Sequence, residues 1–208
     1  MKVKTEIKYL FVDIGGVLLT DGWGHKSQKL AAKEFNLNRE EWENRNNHAF
    51  NTYELDKLNI EEYLNRVVFY EKRQFIHAQF RKFMFAQLKP YPKMIELDRR
   101  LKARYGLKIV VVSNETRELN AYRIRKFKLN EFVDFFVSSC YVHLRKPDKD
   151  IFQLTLDTTQ APARQVVYIE NTTMFVQIAE GLGIRSICHT DYKSTFVKLA
   201  SFGLEVEE

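Results

Sequence analysis

The stretch IKYLFVDIGGVLL, residues 7–19, decides the fold of this chain. Its first half, up to Val12, is a largely apolar run of the kind that forms a buried strand. Asp13 follows that run and leads into the glycine pair at residues 15 and 16. Because open α/β sheets bind ligands at the carboxyl ends of their strands, this carboxylate is a candidate nucleophile or cation ligand. A turn-capping aspartate is the structural alternative.

The composition is that of an ordinary globular protein with one core, or a core and a small insertion. The 208 residues are 45% hydrophobic and 29% charged, and the net charge of +6 favours small anionic partners. The sequence has no zinc-ligand spacing, ribonucleoprotein motif or helix-turn-helix pattern, so no nucleic acid partner is predicted. It also lacks a signal-peptide pattern and an apolar run of roughly 18 residues. A cytoplasmic protein without a membrane partner is therefore predicted, with Cys140 and Cys188 as free thiols.

Two different periodicities divide the chain. Residues 21–88 carry helical patterns and no strand run, and Asn38 and Asn59 suit helix N-caps. From residue 89 onward, apolar strands alternate with helices, which predicts a parallel sheet covered on both faces. We therefore predict a three-layer, Rossmann-like α/β core from residues 1–20 and 89–208, with residues 21–88 as a helical insertion. The predicted strands cover residues 7–12, 108–112, 132–138, 166–169 and 185–188, and the predicted helices of the core cover residues 94–105, 115–127, 149–157 and 174–182.

Several predicted strands run into polar residues at their carboxyl ends. Ser113 and Asn114 follow the second strand, Glu170 follows the fourth, and Lys146 lies in a loop between them. In a parallel sheet these ends share one edge, so we expect the residues to meet Asp13 there. Two carboxylates suit Mg²⁺, and a hydroxyl and an ammonium suit a phosphate group. The helix that begins after the second strand would add N–H donors for an anion.

These residues resemble the four motifs of the haloacid dehalogenase-like hydrolase superfamily, in order and along essentially the whole chain. The motifs are VDIGGVL around Asp13, IVVVS ending at Ser113, RKPD around Lys146, and VVYIE ending at Glu170. The helical insertion after the first motif resembles the small helical cap of one subgroup. Any one of these motifs is weak, but the four in order with an inserted cap form a specific pattern.

The resemblance implies a covalent mechanism on a phosphate ester, with Mg²⁺ as the cofactor. The nucleophile would form an aspartyl-phosphate that water then hydrolyses, while the cap excludes bulk water and selects the substrate. The implied roles are nucleophile for Asp13, phosphate binding for Ser113, Asn114 and Lys146, and metal binding for the Asp13 carboxylate, the Gly15 backbone carbonyl and Glu170.

The sequence departs from the family pattern at two places. Gly15 stands where phosphatases of the family carry an aspartate that protonates the leaving group, and Glu170-Asn171 replaces a pair of aspartates. Asn171 keeps a polar side chain without a charge. Asp21 and His25 are candidates to replace the missing acid, with hinge or helix-cap roles as the alternative.

The sequence thus predicts a Mg²⁺-dependent phosphatase that acts on a small phosphorylated metabolite. A catalytically weak or inactive relative that binds a phosphorylated ligand is one alternative. A 2-haloacid dehalogenase is the other, against which the negative charge of Glu170 argues. Neither the identity of the substrate nor the oligomeric state can be predicted from these patterns.

Overall fold

The structure, a computed structural model, describes residues 6–207. Its centre is a five-stranded parallel sheet with the strand order β3-β2-β1-β4-β5, which confirms the predicted Rossmann-like α/β fold class. The strands are β1 (Tyr9–Val12), β2 (Lys108–Ser113), β3 (Phe135–Ser138), β4 (Val166–Glu170) and β5 (Arg185–Cys188). The helices are α1 (His25–Glu34), α2 (Arg39–Glu54), α3 (Ile60–Val67), α4 (His77–Ala86), α5 (Pro92–Tyr105), α6 (Arg117–Lys126), α7 (Ser139–Val142), α8 (Asp150–Thr159), α9 (Thr173–Gly181) and α10 (Tyr192–Ser201).

The central strand β1 shows why the core has three layers. Leu10 and Val12 belong to the hydrophobic cluster on one face of the sheet, and Phe11 belongs to the cluster on the other face. All three are fully buried, and successive side chains of a strand point to opposite faces, so helices must cover both. Val12 pairs with Val111 of β2 and Ile169 of β4. This register sets the carboxyl ends of the three strands side by side.

Helices α1 to α4 follow β1 within the helical insertion (residues 21–88), and their buried side chains form a hydrophobic cluster that also includes Leu119 of α6. Both predicted N-caps are present. The Asn38 side chain accepts a hydrogen bond from the Glu41 N–H at 3.1 Å, and Asn59 forms a capping box with Glu62 at 2.9 and 2.8 Å. The division of the chain into a core and a cap stays a prediction.

The start of α6 differs from the sequence prediction. We expected this helix from residue 115, but it begins at Arg117 with Thr116 as its N-cap. The cause is a tertiary contact, because the Glu115 N–H donates to the Ser139 Oγ at 2.9 Å instead of pointing along a helix axis.

Other boundaries shift for local reasons. Strand β3 starts at Phe135 rather than at residue 132, since Leu129–Glu131 forms a short 3₁₀ helix. Gly106 ends α5 as predicted, with a φ of 64° in the left-handed region that suits glycine. Helix α10 was missed, although its N-cap Asp191 accepts from the Ser194 N–H at 2.9 Å and is a readable start signal. Among the helices of residues 6–207, none has the length and apolarity to cross a membrane.

Candidate active site

Three of the predicted site residues meet in a buried cluster at the carboxyl edge of the sheet. The Lys146 Nζ lies 2.9 Å from Asp13 Oδ1 and 2.6 Å from Glu170 Oε2. The carbonyl of Val112, near the end of β2, accepts a third hydrogen bond from this ammonium at 3.0 Å. Lys146 and Glu170 are each 1% exposed and Asp13 is 6% exposed. One buried cation therefore lies between two buried anions, where the ends of parallel strands converge.

A fourth member of this cluster, Tyr168, was missed in the sequence analysis. Its hydroxyl donates to Glu170 Oε2 at 2.6 Å and accepts from Lys146 Nζ at 3.1 Å. Tyr168 lies two residues before Glu170 on β4, so both side chains point to the same face of the strand. The period of two along β4 is the sequence signal that could have identified Tyr168. The Thr172 N–H binds the other Glu170 oxygen, Oε1, at 2.9 Å.

Burial and neighbouring charges set the protonation states of the cluster. Burial raises the pKa of Asp13 to about 6, an effect that Lys146 opposes and Glu170 increases. For Lys146, burial is outweighed by Asp13 and Glu170, so the pKa of the ammonium is raised and the group stays charged. Burial, with Glu170 and Asp13, raises the pKa of the Tyr168 hydroxyl, which remains a donor. The Lys146 ammonium thus favours the carboxylate form of Asp13, which is the form that attacks phosphorus.

The turn after Asp13 adds further oxygen atoms. A terminal atom of the Asn171 amide lies 3.2 Å from the Gly15 carbonyl oxygen and 2.9 Å from Glu170 Oε1. Both neighbours are acceptors, so this atom is assigned as the amide nitrogen, which donates to both of them. Gly16 makes room for this amide, because a Cβ there would lie 2.3 Å from the other amide terminus.

This set of donors fits Mg²⁺. The carboxylates of Asp13 and Glu170 and the Gly15 carbonyl are the hard oxygen ligands that Mg²⁺ takes. Within residues 6–207, three or more His, Cys, Asp or Glu side chains do not gather into a metal cluster. The negative charge of such a site therefore comes from two carboxylates only.

The residues after β2 have divided roles. The Ser113 hydroxyl lies 3.4 Å from Glu115 Oε1 and is almost fully buried. The Asn114 amide binds the backbone of Lys146 at both ends, with its Nδ2 2.8 Å from the Lys146 carbonyl and its Oδ1 2.8 Å from the Lys146 N–H. The Asn114 side chain therefore holds the loop that carries Lys146. Its predicted contact with phosphate stays a prediction.

Glu115 takes part in a buried ion pair with Arg123 of α6. Burial raises the pKa of Glu115 to about 7, Arg123 opposes the shift, and the charges of Asp13, Glu54 and Asp21 increase it. The expectation that Glu115 lies in the first turn of a helix was therefore wrong. The charge of Glu115 is compensated by Arg123, which lies in the second turn of α6, rather than by the dipole of that helix.

A cavity of about 1100 Å³ opens between this edge of the sheet and the helical insertion. Asp13, Lys146 and Glu170 line it from the core, and Asp21 and His25 line it from the insertion. The two candidates for the missing acid thus share one cavity with the predicted nucleophile. Further lining groups from the insertion include amides and two aromatic rings, among them Gln28, Asn46, Asn47, Trp23 and Phe50.

Comparison with known sequences identifies one family. Residues 26–189 match the sequence profile of the haloacid dehalogenase-like hydrolases. The chain is also similar to bifunctional epoxide hydrolase 2 of Sus scrofa, with 33% identity over 64 residues. That match covers 31% of this chain and 12% of the length of that protein.

Solved structures share the fold over most of the chain. A HAD family enzyme from Bacteroides thetaiotaomicron has a TM-score of 0.77 at 19% identity and covers 92% of this chain and 99% of its own. The same enzyme in complex with magnesium and inorganic phosphate has a TM-score of 0.74 at 20% identity, over 91% and 99% of the two chains. L-2-haloacid dehalogenase from Xanthobacter autotrophicus has a TM-score of 0.61 at 14% identity, over 94% and 83%. At these identities the likeness shows the fold alone.

Proposed function

The chain belongs to the haloacid dehalogenase-like hydrolases, and on that premise we propose that it is a Mg²⁺-dependent phosphatase of a small phosphorylated metabolite. The observation that carries the proposal is the buried contact of 2.9 Å between Lys146 Nζ and Asp13 Oδ1 on the wall of the cavity. It pairs a carboxylate, which can attack phosphorus, with a fixed cation, which can bind the oxygens of the same phosphoryl group.

Mg²⁺ would be held by the Asp13 and Glu170 carboxylates and the Gly15 carbonyl, with the Asn171 amide bound to two of these groups. When bound, it neutralises negative charge on the phosphoryl group and on the attacking carboxylate. The Bacteroides thetaiotaomicron enzyme of the same fold has been solved with magnesium and inorganic phosphate, which supports this choice of cofactor and ligand.

The residues of this chain supply the remaining steps. Asp13 attacks phosphorus and becomes an aspartyl-phosphate, while Lys146 and the Ser113 hydroxyl bind the oxygens of the transferred group. Tyr168 and Thr172 hold Glu170 in place, so the cluster is organised before the substrate arrives. Water then hydrolyses the aspartyl-phosphate and regenerates Asp13.

The charge of the cluster favours a phosphatase over a dehalogenase. Asp13, Glu170 and Lys146 together carry one net negative charge, which repels the carboxylate of a 2-haloacid unless a bound cation offsets it.

Turnover assays test the proposal. The wild type should hydrolyse an activated aryl phosphate with Mg²⁺ and not with EDTA, and Asp13→Asn should abolish the activity while keeping the fold by circular dichroism. Chloride release from 2-chloropropionate without Mg²⁺ would identify a dehalogenase instead. Binding of phosphate esters without turnover would identify the inactive relative.

A further inference from the structure

Asp21 lies beside the place where a side chain on residue 15 would begin. An ideal Cβ on Gly15 would lie 3.4 Å from Asp21 Oδ1 and 3.7 Å from Asp21 Cα. A carboxyl oxygen lies only two bonds beyond its own Cβ, so Asp21 Oδ1 is beside the place that an aspartate at residue 15 would reach. Gly15 is not among the glycines with a positive φ, so its backbone conformation does not require glycine. The missing side chain is what leaves this place to Asp21.

The loop that carries Asp21 is held from both sides. The Thr20 hydroxyl donates to the Gln87 carbonyl at 2.7 Å, and an Arg123 N–H donates to the Asp21 carbonyl at 3.2 Å. Gly24 provides the remaining space, because a Cβ there would lie 1.7 Å from Asp21 Oδ2. Two glycines and two backbone contacts thus define where the carboxylate lies.

Asp21 differs from the other acidic side chains around the cavity. Five carboxylates line it: Asp13, Asp21, Glu54, Glu115 and Glu170. Lys146, Arg123 and Arg145 form ion pairs with all of them except Asp21. Among the described residues, Asp21 accepts its hydrogen bond from Arg123 at the backbone carbonyl. Its side chain is exposed to the cavity. Its carboxylate is therefore available to a ligand.

We infer that Asp21 donates and accepts the protons of the reaction in place of the side chain that Gly15 lacks, an inference that rests on the proposed phosphatase function. In the first step an Asp13 oxygen bonds to phosphorus, the bond from phosphorus to the ester oxygen breaks, and the leaving oxygen takes the proton of the Asp21 carboxyl group. In the second step the Asp21 carboxylate takes a proton from water, the water oxygen bonds to phosphorus, and the bond to Asp13 breaks. The products are the alcohol, inorganic phosphate and the original enzyme.

The first turnover separates the roles of Asp21 and Asp13. Release of the alcohol in a single turnover reports the first step alone. For an alkyl phosphate, whose leaving oxygen is strongly basic, Asp21→Asn should slow this release by about 100-fold or more. For para-nitrophenyl phosphate, whose leaving group needs no proton, the burst should stay within about threefold of the wild type, followed by slow turnover. Glu34→Gln, which removes an exposed carboxylate of α1 away from the cavity, is the matched control and should change neither rate.

A relocation experiment distinguishes a proton donor from a structural residue. In the double variant Gly15→Asp/Asp21→Asn, the carboxyl group moves from residue 21 to residue 15, where a Cβ meets only ordinary contacts. This variant should release the alcohol from the alkyl phosphate at least tenfold faster than Asp21→Asn does. Gly15→Asp alone places two carboxylates side by side and should gain less than the double variant.

The outcomes separate the two proposals. If the wild type turns over both esters and Asp21→Asn leaves the ratio of their first-turnover rates unchanged, the inference about Asp21 is wrong and the phosphatase remains. A folded double variant that recovers nothing also overturns it. If the wild type hydrolyses neither ester with Mg²⁺, the proposed function itself is wrong, and the role of Asp21 is wrong with it.

Discussion

Asp13 at the edge of the sheet and Asp98 on helix α5 are both buried carboxylates, but their surroundings differ. Asp13 has the Lys146 ammonium at 2.9 Å. Asp98 is fully buried, and neither of its oxygens has a hydrogen-bond partner among residues 6–207. Burial raises the pKa of Asp98 to about 8, whereas Lys146 limits the rise at Asp13 to about 6. The difference shows that burial alone neutralises an acid, and that a fixed cation keeps it charged for chemistry.

Among the changes considered for this pair of carboxylates, removal of the Lys146 ammonium should have the largest effect on stability. Lys146→Met leaves Asp13 and Glu170 buried without a positive partner, so we expect a loss of about 3–5 kcal/mol in the free energy of unfolding. Urea denaturation measures it. Lys149→Met, three residues along and exposed, is the control and should change stability by less than about 0.5 kcal/mol.

A second substitution sharpens this result. Glu170→Gln added to Lys146→Met removes one of the two unpaired charges, and the double variant should regain part of the lost stability. Equal stability of Lys146→Met and wild type would show that the ion pair contributes nothing, and the comparison with Asp98 would fail.

The pH dependence of stability should reveal Asp98. Its pKa in the folded state, about 8, lies above the ordinary value of 3.8, so the folded protein binds more protons between these values. Stability should therefore fall as pH rises from about 4 to about 8, by up to about 1.4 kcal/mol per pH unit, and change little from this group above that range. Asp98→Asn should lack this part of the slope in melts across the pH range. Glu96→Gln, exposed on the same helix, should keep it; a wild-type slope in Asp98→Asn would contradict the prediction.

The sequence predicted the charged centre of the site better than its supports. Asp13, Lys146 and Glu170 meet because parallel strands end at one edge, which the strand pattern alone implies. The period of two along β4 places Tyr168 on the same face as Glu170, but no sequence motif marks Tyr168 as a site residue. The place of Asp21 beside Gly15 depends on the path of residues 20–24 and on a contact with Arg123, 102 residues away, which no local pattern encodes.

The fold also combines features that local sequence patterns predict with features that depend on tertiary contacts. The strand order along the chain and most of the helices were predicted from periodicity, and the two capped helices of the insertion were predicted from Asn38 and Asn59; α7 and α10 were missed. The start of α6 was not, because the Glu115 N–H is taken by Ser139 from another element. Tertiary contacts of this kind override local helix signals.

Loss of one hydroxyl should have a smaller effect than loss of the ammonium. Tyr168→Phe removes the hydrogen bond of 2.6 Å to the buried Glu170 carboxylate, while Lys146 remains. We expect a loss of about 1.5–3 kcal/mol in stability, the range for hydrogen bonds to charged groups. Tyr9→Phe, whose hydroxyl makes a long contact of 3.4 Å to a backbone carbonyl, is the control and should lose less. If the two variants were equally stable, Tyr168 would not support Glu170.

The smallest expected change concerns Mg²⁺ affinity. Glu170→Gln keeps the shape of the side chain and removes one of two negative charges, so affinity should fall by about tenfold, or about 1.4 kcal/mol. Calorimetric titration of Mg²⁺ into the free protein measures this without turnover. Asn171→Asp, which adds a charge next to the Gly15 carbonyl, should shift affinity the other way. Unchanged affinity in both variants would place the cation elsewhere.

The central claim is that Asp13, kept ionised by Lys146, forms a covalent bond to phosphorus. Rapid acid quench of the wild type with para-nitrophenyl phosphate and Mg²⁺, followed by peptide mass spectrometry, tests it most directly. The account predicts one phosphoryl group on the peptide that contains Asp13, absent without Mg²⁺ and absent in Asp13→Asn. Steady turnover with no phosphoryl group on that peptide, or full turnover by Asp13→Asn, would contradict it.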